Sequence, residues 1–385
     1  MRKGWVETTL VGIADVIMGQ SPDGKTYNQE GKGLPFMQGS AEFGEHNPVP
    51  EKWCSDPKKI AEPGDLLLSV RAPVGDTNFA DQRIAVGRGL SIIRANKESL
   101  TEFIRLVIQM NVAELIASSG SGMFASITGK NLKEFKVNLP PLPEQKRIAD
   151  LISSVDSYIE ALQQQSESAK RSRNAVLHEL LTTGADDWVE TTLGEVALLN
   201  PSEPALSDTA HFAPMDAVHV GKRWLQYTEE RRDRNGARAR AGDVLFARIT
   251  PCLENGKIAQ VQSEFERCGG STEFIVVRGT EKCTSDFLYF WCTLKVNRDK
   301  AAELMTGTTG RQRLSWQDLG SLSLWLPSIT EQNRIVSNIS EFDSLIESTE
   351  SAITESQNLR TGLLSDLLSG DHEIPASYDV VIGAA

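Results

Sequence analysis

Apolar residues recur with a helical period in two long stretches of the chain, residues 139–181 and residues 326–368. The apolar positions follow alternating four- and three-residue steps: Ile148, Ile152, Val155, Ile159 and Leu162 in the first stretch, and Ile335, Ile339, Phe342, Ile346 and Thr349 in the second. That spacing predicts a long helix with one apolar seam, which is the pattern of a coiled coil.

Proline stands at the start of each stretch (Pro140, Pro327) and glycine (Gly184, Gly370) follows it, which are the expected limits of a helix. At ~1.5 Å per residue each helix would be roughly 55–60 Å long. An exposed helix with one apolar seam needs a partner. Because both helices carry the same seam, we expect them to pair antiparallel, with the globular parts at opposite ends; a single extended rod is the alternative.

The chain is an internal duplication. The two long stretches agree at 16 of 43 positions, and residues 5–10 return letter for letter as residues 188–193. Residues 63–68 (Pro-Gly-Asp-Leu-Leu-Leu) return as residues 241–246 (Ala-Gly-Asp-Val-Leu-Phe). The predicted order is therefore domain, helix, domain, helix, with these boundaries: 1–143, 144–184, 185–330 and 331–370, followed by a tail at 371–385 next to the first domain.

Strands and short helices alternate in both globular parts. Strands are predicted at residues 65–70, 90–94 and 274–277, and helices at residues 100–116 and 286–295. The predicted fold class is α+β: two duplicated mixed α/β domains separated by two long antiparallel coiled-coil helices.

Charge is unevenly distributed over these segments. The net charge is −12, which argues against a nucleic-acid partner. Residues 1–143 carry 16 basic and 16 acidic side chains and residues 188–330 carry 17 and 18, whereas residues 144–187 and 331–385 hold −3 and −8. The globular parts are thus free to present basic faces. Five cysteines without C-x-x-C spacing and the lack of a long apolar run indicate a cytoplasmic protein.

One stretch matches a catalytic motif. Residues 19–26 (Gly-x-x-x-x-Gly-Lys-Thr) match a phosphate-binding loop, which requires a helix directly after it. The following residues, Tyr-Asn-Gln-Glu-Gly, do not predict a helix, so we interpret the match as coincidence. Neither a metal-ligand cluster nor a catalytic residue is indicated elsewhere.

Basic residues in polar loops are the remaining candidates for a functional site. Arginine forks onto phosphate or a guanine edge, although a charged run is often only a solvated face. The candidate DNA-binding residues are Arg71, Arg83, Arg88, Lys130, Arg231, Arg232, Arg234, Arg238, Arg248, Arg311 and Arg313.

The run Leu-Pro-Pro-Leu-Pro-Glu-Gln-x-x-Ile at residues 139–148, its copy at 326–335 and the duplicated order resemble the specificity subunits of type I restriction-modification systems. The repeated Gly-Asp strands and the turn Gly19-x-x-Pro22 support the resemblance over essentially the whole chain. In the copy, Ser328, Ile329 and Thr330 replace the second proline, leucine and third proline of the run, and Arg71 and Arg248 lie one place apart relative to the prolines that follow them.

The resemblance implies a non-catalytic subunit in which each target recognition domain reads half of a bipartite site on double-stranded DNA. Its helices would dock two methyltransferase (modification) subunits, which bind S-adenosylmethionine, and restriction subunits that use ATP and Mg²⁺ would join. Alternatives are the specificity module of a type IIB-like enzyme and a nucleotide-hydrolysing enzyme that uses residues 19–26. The predicted partner-binding residues are Glu144, Gln145, Arg147, Glu331, Gln332 and Arg334.

Overall fold

The computed structural model describes residues 4–117, 126–184, 187–206, 210–231, 236–308 and 310–381. The chain forms two compact units. The first unit combines Met1–Leu162 with Ser351–Ala385, and the second unit is Gln163–Glu350. Each unit holds one globular domain and one half of each long helix.

The described part of the first domain contains short strands and four short α-helices. Its strands are β1 (Val6–Thr9), β2 (Ala14–Met18), β3 (Tyr27–Asn28), β4 (Leu34–Met37), β5 (Lys52–Cys54), β6 (Ile60–Ala61), β7 (Leu66–Ser69), β8 (Thr77–Phe79), β9 (Ile84–Val86), β10 (Leu90–Ala95) and β11 (Lys136–Leu139). Its helices are α1 (Leu10–Ile13), α2 (Thr101–Met110), α3 (Val112–Ala117) and α4 (Gly129–Glu134), and the long helix α5 (Leu142–Thr182) follows.

The second domain repeats this plan. Its strands are β12 (Val189–Thr192), β13 (Leu198–Leu199), β14 (Ala210–Ala213), β15 (Glu229–Arg231), β16 (Ala237–Arg240), β17 (Val244–Ala247), β18 (Ile258–Gln260), β19 (Arg267–Gly270), β20 (Phe274–Arg278) and β21 (Ser323–Leu326). Its helices are α6 (Leu193–Val196), α7 (Ser285–Thr293), α8 (Lys295–Glu303) and α9 (Trp316–Gly320), followed by the long helix α10 (Ile329–Ser369) and by α11 (Tyr378–Val381).

The sheets of the two domains share one topology. The main sheet has the order β2-β10-β7-β8 in the first domain and β13-β20-β17-β18 in the second, antiparallel throughout. Each domain also pairs its first strand with its last, β1 with β11 and β12 with β21, directly before its long helix. A second mixed sheet completes each domain: β3-β5-β4-β9-β6 and β15-β14-β19-β16. The predicted duplication is confirmed.

Two predicted helices are interrupted in the structure. The prediction at residues 100–116 is wrong as one helix, because Asn111 leaves helical geometry between α2 and α3, and its Nδ2 donates to the carbonyl of Val107 (2.8 Å). The prediction at 286–295 runs slightly too far, since Leu294 turns the chain between α7 and α8. At Asn111 a backbone turn interrupts an apolar period that continues through it.

Both long helices are confirmed, and their seam residues are buried or half-buried. Ile148 and Ile152 join the core of the first unit together with Leu364 and Leu367 of α10. Ile335 and Ile339 join the core of the second unit together with Leu177 and Leu181 of α5. Burial of these apolar faces against domain and helix is the main stabilising term for helices of this length.

The helix halves run antiparallel within the second unit. Arg173 of α5 pairs with Asp343 of α10, whereas Lys170, three residues earlier, pairs with Glu350, seven residues later. In the first unit Asp156 pairs with Arg360. Within the residues that the structure describes, no helix has both the length and the apolar character to cross a membrane.

Candidate nucleic-acid interface

The buried aspartate of the repeated Gly-Asp sequence forms the same hydrogen bonds in both domains. In the first domain the buried Asp65 accepts two hydrogen bonds from the guanidinium of Arg94 (Nε 2.9 Å, Nη2 2.7 Å) and one from the backbone N–H of Glu62 (2.7 Å). These bonds hold the turn before β7 against β10. The motif therefore anchors the start of β7.

The second domain repeats the arrangement with Asp243. It accepts from Arg278 (Nε 2.8 Å, Nη2 2.7 Å) and from the backbone N–H of Arg240 (2.7 Å). Hydrogen bonding to Asp243 is the main reason that the pKa of Arg278 lies above its ordinary value. This buried pair fixes β17 against β20.

Arg71 and Arg248 lie in the loops that follow these two strands. Arg71 is exposed, and its backbone bridges to Ser126. Arg248 is half-buried; its backbone N–H donates to the carbonyl of Glu273 (2.9 Å), and its carbonyl accepts from Leu314 (2.8 Å). The two arginines therefore occupy similar loops with different exposure.

The structure brings Arg238 and Arg248 together at one cavity of about 400 Å³ in the second domain. Arg238 comes from β16, and its Nη1 donates to the carbonyl of Glu203 (3.2 Å). Arg231 is the last residue of β15, and its side chain is not described. Arg232 and Arg234 lie outside the described residues.

Arg311 and Arg313 lie in a loop that bridges to the segment after β17. Ile249 and Thr306 both form β-bridges with Arg313. The guanidinium of Arg313 forks onto Glu273 at 2.8–3.1 Å, and this contact is the main reason that the pKa of Glu273 lies below its ordinary value. Arg311 is exposed. The loop thus adds one exposed arginine beside the strand end that carries Arg248.

The candidates in the first domain are exposed and separate. Arg83 pairs with Glu62 (3.3 Å) near the start of β9. Arg88 lies between β9 and β10, with its backbone N–H 3.4 Å from the hydroxyl of Ser21. Lys130 lies in the first turn of α4. Surface pairs of this kind contribute little to stability, which leaves these side chains available for a ligand.

The turn at Gly19 is a packing feature. A Cβ on Gly19 would lie 2.7 Å from the carbonyl oxygen of Leu90 and closer still to that of Gly87. The residues Gly24–Thr26 form one 3₁₀ turn capped by Asp23, and strand β3 follows directly. A strand, β2, does precede the turn, but the helix that a phosphate-binding loop requires is replaced by β3.

Gln145 and Gln332 lock each long helix to its own domain. Gln145 is fully buried; its Oε1 accepts from the backbone N–H of Leu100 (2.9 Å), and its Nε2 donates to the carbonyls of Glu98 and Pro140 (both 2.8 Å). Gln332 repeats this with three backbone groups at 2.8–3.0 Å: those of Thr284, Lys282 and Pro327. An intramolecular role accounts for both glutamines, and a partner contact by their side chains would require their exposure.

The charged residues beside these glutamines differ between the copies. Glu144 accepts from Trp5 Nε1 (3.1 Å). Arg147 forks onto Asp379 of α11 (both bonds 2.7 Å), so the tail contacts the start of α5. Arg334 instead pairs with Glu331 of its own helix (2.6 Å). Partner binding by these four residues stays a prediction.

A loop of each domain contacts a long helix. In the second unit Lys222 and Lys170 both pair with Glu350 of α10 (2.6 and 3.2 Å), and the contact to Lys222 is the first cause of a pKa of Glu350 below its ordinary value. In the first unit His46 lies 4.0 Å from Glu160 of α5. The two contacts are counterparts with different chemistry.

The contact in the first unit also contains Glu45. The potential metal-ligating atoms of Glu45, His46 and Glu160 lie within 4.8 Å of one another, which is the one such group of three in the described part of the chain. The hydrogen bond that the protonated Glu160 donates to Glu45 is the leading cause of a raised pKa of Glu160. The sequence did not indicate this group, because Glu160 lies more than 100 residues after Glu45 and His46.

Three comparisons with known proteins bear on this architecture. Residues 2–171 and 186–356 match the family model described as type I restriction modification DNA specificity domain. The chain is similar to the putative type I restriction enzyme MjaX specificity subunit of Methanocaldococcus jannaschii, with 41% identity over 168 residues. That match covers 43% of this chain and 40% of the relative, so it spans less than half of either protein.

Longer matches are more distant. The EcoKI specificity subunit of Escherichia coli strain K12 is 22% identical over 366 residues, which covers 84% of this chain and 78% of that protein. The chain is also similar to one chain of a solved structure, which is described as the structural basis of complex assembly and conformational transition of the type I restriction-modification system. The two chains align with a TM-score of 0.65 and 17% identity, over 97% of this chain and 99% of that chain. Because the family model matches both copies of the duplicated unit, the chain belongs to the family of type I restriction-modification specificity subunits.

Proposed function

We propose that this chain supplies DNA sequence specificity, without catalysis, to a type I restriction-modification complex. Each domain reads one half of a bipartite site on double-stranded DNA. The observation that carries the proposal is the duplication. The two domains share the strand order of the main sheet, and in each an arginine, Arg71 or Arg248, lies in the loop after an anchored Gly-Asp strand. Two such readers match a site with two separate halves.

The other basic candidates extend the proposed interface. Arginine side chains at strand ends can fork onto phosphates or guanine edges. In the second domain Arg238, Arg248 and Arg311 come from neighbouring segments of one surface, and the predicted residues Arg231, Arg232 and Arg234 precede β16 in sequence. In the first domain Arg83, Arg88 and Lys130 are the exposed counterparts.

Catalysis belongs to partner subunits in this proposal. Two methyltransferase subunits bind S-adenosylmethionine and dock on the acidic helices, with Glu144, Arg147, Glu331 and Arg334 near the helix starts. Restriction subunits supply ATP- and Mg²⁺-dependent cleavage. A cytoplasmic location agrees with the five cysteines, all of which are free thiols.

The proposal is tested by methylation in vitro. Adenine methylation of DNA is measured with this chain alone, with the methyltransferase subunit alone, and with both together. Methylation confined to one bipartite sequence is expected only from the mixture. Methylation by the isolated chain would contradict the proposal.

A type IIB-like enzyme, whose partner fuses methylation and cleavage, is the second candidate. The specificity module would be the same, so the copurifying partner separates the two. Nucleotide hydrolysis at residues 19–26 has no comparable support, because β3 stands where the phosphate-binding helix would start. Absence of ATP binding by the purified chain is the expected result.

A further inference from the structure

The second domain contains a polar cavity at the edge of its main sheet. It has a volume of about 400 Å³ and lies beside the ends of β13 and β17, where β16 and β20 also contribute side chains. The residues that matter for its chemistry are Asn200, Glu203, Arg238, Arg248, Thr272 and Phe274. Four separate parts of the chain line the cavity, which explains why no local sequence motif predicts it.

Glu203 supplies an unsatisfied acceptor. Its side chain is 1% exposed, and its Oε1 accepts from Arg278 Nη1 (2.6 Å) and Arg240 Nε (2.8 Å). Its Oε2 is buried without a hydrogen-bond partner among the residues that the structure describes. Burial alone would raise the pKa of Glu203, but the two arginines outweigh burial and hold it below its ordinary value. The carboxylate is therefore ionised, and its Oε2 is an acceptor that can take a hydrogen bond from a ligand.

The other walls supply donors and an aromatic face. Arg248 Nε is buried and has no hydrogen-bond partner in the described part of the chain. Arg238 lines the same cavity, and Phe274, which is 3% exposed, forms an apolar wall. An anionic acceptor, guanidinium donors and an aromatic ring together suit a nucleobase that carries an exocyclic amine beside ring acceptors.

The first domain closes the corresponding position. Strands β2 and β13 hold the same place in the two main sheets, and the equivalent residues Arg94 and Arg278 pair with Asp15 and Leu198, so Gly19 corresponds to Ser202. At Gly19 the backbone of Gly87 and Leu90 leaves no room for a Cβ, whereas Ser202 lines the cavity. The cavity thus belongs to the part of the fold in which the two copies differ.

We propose that this cavity receives one base of the second half-site and that Glu203 selects a base with an exocyclic amine on its major-groove edge, cytosine or adenine. Oε2 of Glu203 accepts a hydrogen bond from the amine, while Arg248 donates to a ring acceptor or to the adjoining phosphate. This inference rests on the proposed function, because it assigns one base position within the DNA that the second domain reads. Glu203 is thus a specificity-determining residue in a non-catalytic domain.

The test is a double-mutant cycle between protein and DNA in the full complex with its methyltransferase subunit. At each position of the second half-site, cytosine is replaced by 2-pyrimidinone, or adenine by purine, which deletes only the amine. At one position the wild-type complex should lose about tenfold in affinity, the size of one base-specific hydrogen bond to a charged group. The Glu203→Gln complex should be indifferent to the same deletion, and the responding analogue tells cytosine from adenine.

Two further variants complete the experiment. Glu264→Gln removes an exposed carboxylate of the same domain and should respond to the deletion as the wild type does. Thr272→Trp fills the cavity from an exposed position without touching the pairs of Glu203 with Arg240 and Arg278, so it decides the question if Glu203→Gln fails to fold. It should abolish the preference at the same position only.

The outcomes separate the two proposals. A wild-type complex that reads no bipartite site would overturn the proposed function. A wild-type complex that reads one, together with folded Glu203→Gln and Thr272→Trp variants that keep every base preference, would overturn this inference alone.

Discussion

Arg173 of α5 forks onto Asp343 of α10, with Nε 2.7 Å from Oδ1 and Nη2 3.4 Å from Oδ2. The repeat-equivalent residues, Asp156 and Arg360, form the same pair in the other unit with the roles of the helices exchanged. Arg173 and Arg360 stand where the apolar seam of each stretch weakens. The interruption of the seam is thus itself part of the helix pairing.

Arg173→Ala should destabilise the second unit by about 1–2 kcal/mol, because it leaves a half-buried Asp343 without its charged partner. The exchanged pair, Arg173→Asp with Asp343→Arg, should recover most of that loss. Thermal unfolding monitored separately for each unit by hydrogen exchange measures both. Lys146→Ala, which removes an exposed pair with Asp150, is the control and should change stability by less than about 0.5 kcal/mol. Equal effects of Arg173→Ala and Lys146→Ala would contradict the role given to the pair.

Gln145→Leu should lower the free energy of unfolding by about 2–4 kcal/mol. The substitution leaves the backbone groups of Leu100, Glu98 and Pro140 buried without their hydrogen-bond partner. Gln332→Leu should have the same effect in the second unit. Chemical denaturation of each variant gives the comparison. If both variants unfold like the wild type but fail to bind methyltransferase subunits, the glutamines serve the partner and not the fold.

The two loop–helix contacts should respond to pH in opposite directions. Glu160, which faces Glu45 and His46, has a raised pKa, so its contribution is present below the ordinary value of 4.5 and is lost as pH rises through the raised value. Glu350, which faces Lys222 and Lys170, has a lowered pKa, so its contribution is present above 4.5 and is lost as pH falls through the lowered value.

Glu160→Gln and Glu350→Gln isolate these two responses. As pH rises, the Glu160→Gln variant should gain stability relative to the wild type. Over the same rise in pH, the Glu350→Gln variant should lose stability relative to the wild type. Melting of each unit is followed across the range around pH 4.5. Parallel changes in the two variants would show that the contacts do not differ in the way described.

Much of the architecture could be predicted from the sequence, because both long helices show the same apolar period and the same residue types at their limits. The breaks at Asn111 and Leu294 could not be predicted in this way, since the spacing of apolar side chains does not report a backbone turn. The ion pairs Asp156–Arg360 and Asp343–Arg173 had a signal that could have been used, because aspartate and arginine recur at the same places of the two copies. For the cavity around Glu203 no such signal exists, because sheet pairing assembles it from distant segments.

The buried roles of Asp65, Asp243, Gln145 and Gln332 were also missed. Each belongs to a repeated motif, and a motif with polar residues invites a functional interpretation. In the structure each satisfies backbone or guanidinium groups inside one unit. Repetition of a polar residue between two copies of a fold is therefore evidence for folding before it is evidence for binding.

The long helices should act as a ruler between the half-sites. Seven residues inserted between Ser166 and Arg173, and seven between Ile353 and Arg360, keep the heptad phase. Both ion pairs survive, since the insertions fall between them. About 10 Å of added helix corresponds to up to about three base pairs of DNA at ~3.4 Å each.

The measurement is methylation by the complex on a library of spacer lengths between the same two half-sites. The preferred spacer should lengthen while the bases of each half-site stay the same. Insertion into α5 alone breaks the match between the helices and should reduce activity at every spacer. An unchanged preferred spacer in a folded double insertion would mean that the helices do not set the distance.

The central claim, that two domains read two half-sites independently, is tested most directly by exchanging one domain. Residues 188–325 are replaced by the equivalent segment of a relative, between the repeated Trp188 and Leu326, and the methylated sequence is mapped with the partner subunits present. We expect one half of the bipartite sequence to change and the other half to stay as in the wild type. A folded hybrid that alters both halves, or neither, would contradict the account.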